Sequence, residues 1–172
     1  MMENVFMIDI NDYLSYDESS GDLIWAFKLS RKVVVGSVAG CKCKRDGYIK
    51  VRFENRLYLA HRIIWEAVVG KIPEGMQIDH INHDRSDNRI ENLRVVTHIE
   101  NGMNQSMCVR NKSGVTGVSW HSRDKKWKAV ISKDRKAISL GYFNNFDDAV
   151  AARLSAEIEF GYHVNHGRKL KV

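Results

Sequence analysis

Residues 76–101 read MQIDHINHDRSDNRIENLRVVTHIEN. Two short apolar stretches, MQIDHI and LRVVT, flank a run dense in Asp, Asn and His. Such runs, bounded by turn residues, predict strands. Thr97 and Glu100 form the T-x-x-E pattern of a capping box, which predicts a helix opening at His98. The local order is therefore strand, long polar loop, strand, helix.

Working outward, AHRIIWEAVVG has helical spacing. Ala60, Ile63, Ile64, Ala67 and Val68 make an apolar stripe that Gly70 ends. Before it, YIKVRF alternates and Glu54-Asn55 supplies a hairpin turn. LIWAF and KVVVGSVAG add to a β-rich start. After the quoted stretch, NQSMCVRNKSG reads as a linker. Three short antiparallel strands follow over GVTGVSWHSRDKKWKAVISKDRKAISLGYF. FDDAVAARLSAEIEFG then reads as a helix, capped by Asp147, whose Ala149, Ala152 and Ala156 suit close packing on a sheet. The fold class expected is α+β.

Composition excludes several classes. Of 172 residues, 44% are apolar and 28% charged, so a packed soluble core is expected rather than disorder. No apolar run approaches membrane-spanning length, and the acidic start is not a signal segment. Three cysteines with no C-x-x-C pair point to reduced thiols and a cytoplasmic protein, not a zinc ribbon. Net charge is +6, unevenly spread. Residues 1–60 carry +1, residues 61–105 carry −2, and residues 106–172 carry thirteen basic against six acidic residues. The last third is suited to a polyanion, while the middle is locally acidic, as a cation site would be.

The polar run has the ingredients of phosphodiester hydrolysis. Water must lose a proton, and the leaving oxygen and transition-state charge must be stabilised. A neutral imidazole serves the first need; a hard divalent cation on oxygen ligands serves the others. Asp79 and His80 supply a carboxylate and a base side by side. Neighbours in a strand face opposite ways, so both serve one site only where the strand ends and bends. D-H-x-x-H at 79–83 suggests zinc, but nothing further completes a tetrahedron.

Asn92 follows His80 by 12 residues and Asn101 follows Asn92 by 9. A DH pair at a strand end, NL opening the next strand and N on the following helix resemble the HNH nuclease family, in its phage and intron-homing branch. The resemblance covers about residues 60–101. It implies a ββα-metal finger in which His80 is the general base, Asp79 and Asn101 hold one Mg²⁺ or Mn²⁺ ion, and Asn92 pins the loop by hydrogen bonds to backbone. The residues between are then mostly spacer. His83 departs from the glycine often found there. His98 and Arg62 are candidate phosphate contacts, although Arg62 is also spaced to pair with Glu66.

Residues 112–167 carry GVSW, KWKAVI, LGYF and an acidic-alanine helix. They resemble the APETALA2/ethylene-responsive-factor type DNA-binding domain, which implies a three-stranded sheet packed on one helix. By alternation, Val118, Trp120 and Trp127 face the helix, whereas Ser119, His121, Lys126 and Lys128 face outward. Arg123 and Arg135 sit in the turns, placed for duplex phosphates. Ser119, Ala137 and Ser139 stand where this family often has Arg or Trp, so sequence reading is expected to be weak and the module mainly a tether.

Together these readings predict a metal-dependent DNA endonuclease, in the host cytoplasm if phage-encoded. Its nuclease part spans 1–105 (β-rich 1–59, ββα core 60–105). A linker covers 106–112 and a DNA-binding part 113–172. Its partner is double-stranded DNA. Two alternatives are a DNA-binding regulator that does not cut, and an RNA-stem binder.

Overall fold

The structure, a computed structural model, describes residues 10–133 and 136–168. It is a mixed α+β chain with several small antiparallel sheets and few helices. It divides into two compact units, Met1–Val95 and Val96–Val172. This division falls inside a strand, ahead of the 105/106 boundary expected from composition. None of the described residues forms a helix long and apolar enough to cross a membrane.

In the first unit, β1 (Leu14–Asp17) and β2 (Asp22–Trp25) form a hairpin. A second sheet has the order β3 (Cys41–Lys42), β4 (Ile49–Phe53), β5 (Arg56–Leu59). Phe53 pairs with Arg56, so Glu54-Asn55 is a two-residue turn with both φ positive, at 45° and 62°. That is the hairpin turn whose twist matches its strands. KVVVGSVAG is not a strand. It contributes one isolated bridge, Ile24 to Val38, and otherwise turns, with Val34, Val35 and Val38 exposed. Gly36 and Gly40, both at positive φ, break its extended path.

Helix α1 (Ala60–Val68) buries Ala60, His61, Ile63 and Ile64 against a core that includes Leu23, Val51, Ile78 and Leu93. The predicted stripe is shortened, because Ala67 and Val68 are exposed and His61 takes a core position. β6 (Gln77–His80) pairs with β7 (Leu93–Val96), and the polar loop joins them.

In the second unit, α2 (His98–Gly102) opens on a complete capping box. Thr97 Oγ1 accepts from Glu100 N at 3.2 Å, and Glu100 Oε2 accepts from Thr97 N at 2.7 Å. The expected linker is partly structured: Gly167 N donates to Gln105 O at 2.8 Å and Met107 N to Arg168 O at 3.1 Å. β8 (Val118–His121), β9 (Lys126–Lys133) and β10 (Lys136–Phe143) form an antiparallel sheet, with α3 (Phe146–Glu159) packed on it. The N-cap of α3 is Asn145 rather than Asp147, which lies inside the first turn. Ala149 packs with Val118 and Ala129 in a small core, and Ala156 is buried as well. Buried Arg153 is matched by Glu157 at 2.7 Å and by the Val130 carbonyl at 2.6 Å, as a charge in a small core requires. Trp120 lies on the expected face but is not buried there. It shares the helix side of the sheet with Trp127 but is 50% exposed.

Candidate functional site

β6 ends at His80, and both chemistry-bearing side chains there are buried: Asp79 at 8% exposure and His80 at 3%. His80 Nε2 lies 3.0 Å from Asn88 Oδ1. An amide oxygen only accepts, so the ring proton sits on Nε2 and the basic lone pair on Nδ1. Burial depresses the His80 pKa, opposed by the Asn88 bond and by Asp79, Asp84 and Asp87. The imidazole is therefore neutral at pH 7, the form a general base needs.

Asn88 is itself 2% exposed, and its backbone is braced from the N-terminal hairpin. Tyr16 Oη accepts from Ile90 N at 2.9 Å and donates to Asn88 O at 3.4 Å. The β1–β2 turn presses on the same segment. A Cβ on Gly21, at φ +81°, would meet Arg89 N at 2.6 Å, so only glycine fits. The loop is thus more than spacer, and Asn88 is a site residue the sequence reading missed.

Asn92, 6% exposed, bonds both sides of the loop. Its Oδ1 accepts from Asn82 N at 3.0 Å and its Nδ2 donates to Asp87 O at 2.8 Å. Asp84 and Asp87 are spent within the loop, on Ser86 and on Arg89 and Asn82. Those bonds hold both carboxyls below the usual carboxylate range. His83 has φ +68°, a backbone region that favours glycine.

Three further residues border the pair. Arg94 on β7 places Nε at 3.0 Å and Nη2 at 2.8 Å from one oxygen of Asp79, Oδ2. His61 stands edge-on to His80, with ring centroids 5.0 Å apart, and Tyr48 contacts both rings. His61 is 4% exposed, and its Nδ1 has no hydrogen-bond partner. Burial, with His80 and Arg62 nearby, pushes its pKa down to about 3. Arg94 and Tyr48 gave no sequence signal, because strand register and a contact from residue 48 to residue 80 are tertiary facts.

Asn101 lies on α2 in the second unit, and His98 is exposed at the start of that helix. Arg62 is exposed on α1, with no ion pair to Glu66 among the described residues. No group of three or more His, Cys, Asp or Glu suited to a metal occurs among the described residues. In the β8–β10 sheet of the second unit, Ser119 pairs with Lys128 and His121 with Lys126, so these four share one face, opposite Val118 and Trp120. Tyr142 joins them across from Lys128, whose Nζ lies 5.7 Å from its ring; His121 meets the same ring edge-on at 5.4 Å. Arg123 is exposed in the β8–β9 turn, and Arg135 lies outside the described residues.

Residues 58–103 match the HNH endonuclease family model. They form an HNH endonuclease domain with phage relatives. Protein 3.8 of Escherichia phage T7 is 34% identical over 76 residues, which are 44% of this chain and 63% of that protein. The uncharacterized HNH endonuclease L560 of Acanthamoeba polyphaga mimivirus is 36% identical over 75 residues, 43% of this chain and 37% of that one. A solved structure of DNA binding and cleavage by the HNH homing endonuclease I-HmuI matches 57% of this chain and 56% of that chain, at 23% identity and TM-score 0.42. The chain spans less than two thirds of the length of each of these relatives.

Proposed function

We propose that this chain is a divalent-metal-dependent DNA endonuclease. The observation that carries the reading is a buried, neutral His80, oriented by Asn88 and adjacent to Asp79, inside the HNH-matched segment. His80 Nδ1 takes a proton from water, and the hydroxide attacks the phosphorus. The bond to the 3′ oxygen breaks and that oxygen takes a proton from solvent, leaving a 5′-phosphate and a 3′-hydroxyl. Asn92 keeps the loop, and with it Asn88, in place.

HNH nucleases generally use a divalent metal. Carboxylate and amide oxygens are the donors that Mg²⁺ or Mn²⁺ prefers, and Asp79 and Asn101 supply them. Arg94 holds Oδ2 of Asp79, so the cation would share that carboxylate with a guanidinium. When bound, the ion offsets charge developing on the leaving 3′ oxygen. The Arg94 pair is also the observation that favours a second reading, a non-cutting regulator, since it already neutralises Asp79.

The second unit, as an APETALA2-like module over 113–172 joined through 106–112, binds duplex DNA. Its contacts are Ser119, His121, Arg123, Lys126, Lys128 and Arg135, with Arg62 and His98 on phosphates near the cut. Incubating plasmid with the full chain tests the proposal. Mg²⁺ or Mn²⁺ is expected to give nicked or linear product with ligatable ends, and EDTA to stop it. Binding without cutting under either ion would overturn the nuclease reading in favour of the regulator.

A further inference from the structure

Beside β8, the chain from Arg110 to Ser113 walls a cleft of about 390 Å³, and Trp120 and Trp127 line the other side. The size is that of a small-molecule pocket. The loop wall is held in shape: Ser113 Oγ donates to Val118 O at 2.6 Å, Asn111 Nδ2 to Val115 O at 2.9 Å, and Gly114 N to Asn111 Oδ1 at 2.8 Å. The indole wall is held as well. Trp120 stands edge-to-face with Trp127 at 5.2 Å, and Trp127 with Phe146 at 4.7 Å on the small core. Half-exposed Trp120 is thus a fixed aromatic surface. Arg110 and Lys112 are exposed and take part in no ion pair among the described residues.

An indole beside two unmatched cations suits a flat apolar ring carrying an anion, and a nucleotide is such a group. In a duplex the base faces are covered by their neighbours, so only an unpaired nucleotide can offer one. The indole wall lies on the helix side of the sheet, opposite the face holding His121, Lys126 and Lys128, and Ser119 of that face borders the cleft. The cleft therefore adjoins the surface proposed for duplex DNA at Ser119, while Trp120 itself lies off that surface. We propose that the Trp120 cleft binds single-stranded DNA, with one base stacked on Trp120 and its flanking phosphates on Arg110 and Lys112. This rests on the reading of the chain as a DNA-acting protein, and it adds an unpaired strand to what that protein holds.

The test is fluorescence anisotropy of the full chain in EDTA, with a labelled oligothymidine strand and, separately, a labelled duplex. Trp120→Ala is expected to weaken single-strand binding about tenfold or more, with duplex binding unchanged, and Trp120→Phe to restore most of it. Arg110→Ala with Lys112→Ala is expected to weaken the same complex and flatten its salt dependence. Single-strand affinity equal to the parent's in Trp120→Ala would overturn the proposal. An equal loss on both probes, without rescue by Phe, would also overturn it. Because no divalent ion is present, the result is independent of cleavage. Failure of the broader reading shows instead as a parent that binds neither probe.

Discussion

At the residue scale, the His80 environment separates what the sequence displays from what it hides. Asp79, His80 and Asn92 are legible because their spacing is local. Asn88 is present in the quoted run, yet nothing in the run says which of its four asparagines turns toward His80. That choice depends on Tyr16 and Gly21, some seventy residues away, pressing on the loop. Asn88→Ala removes the acceptor from His80 Nε2, and kcat is expected to fall roughly ten- to a hundredfold with little change in KM. Asn88→Asp restores an acceptor but is anionic. It should recover much of kcat while moving the acid limb of the pH–rate profile upward.

His61 gives a second prediction at this scale. Its folded pKa is depressed to about 3, while an unfolded histidine titrates near 6.5. Between those values the unfolded chain binds a proton that the folded chain refuses. The stability is complete above pH 6.5 and is lost as pH falls toward 3. From pH 7 to pH 5 the cost from this residue is about 2 kcal/mol. That interval lies above the carboxylate range, so Asp46, Asp84 and Asp87 contribute little to it. Urea midpoints at the two pH values should show the drop, and His61→Phe should shrink it.

At the element scale, local rules succeeded where an element makes its own decisions. The Glu54-Asn55 turn, the capping box of α2 and the three-strand order of the β8–β10 sheet follow from turn chemistry, capping and alternation. They failed where packing decides: KVVVGSVAG has strand composition but is bent by two glycines. Trp120 alternates toward the helix, yet neither of its near ring contacts, Trp127 and the loop wall, covers it. Glu54 at φ +45° carries strain that asparagine tolerates better, so Glu54→Asn should stabilise the chain by about 0.5–1 kcal/mol in urea unfolding. Asn92→Ala removes two bonds that hold the loop and should cost about 1–3 kcal/mol, with faster hydrogen exchange at Asn82.

At the scale of the whole molecule, charge asymmetry is the sequence signal behind the proposed division of work. The acidic middle contains the Asp79 site, and the basic last third forms a sheet with one polar face. If that face lies on duplex DNA, removing Lys126 or Lys128 should each lower the slope of log affinity against log salt by about one. Titrations at several salt concentrations read this directly. The division of the chain after Val95 was not legible, because β7 belongs by pairing to β6 and by sequence to the capping box that follows.

The most direct test of the central claim is the single-turnover cleavage rate of plasmid DNA in Mg²⁺ by the parent and by His80→Ala. Removing the base is expected to slow cutting about 10²–10⁴-fold while DNA binding stays at the parent's level. A variant that cuts as fast as the parent would contradict the assignment of His80.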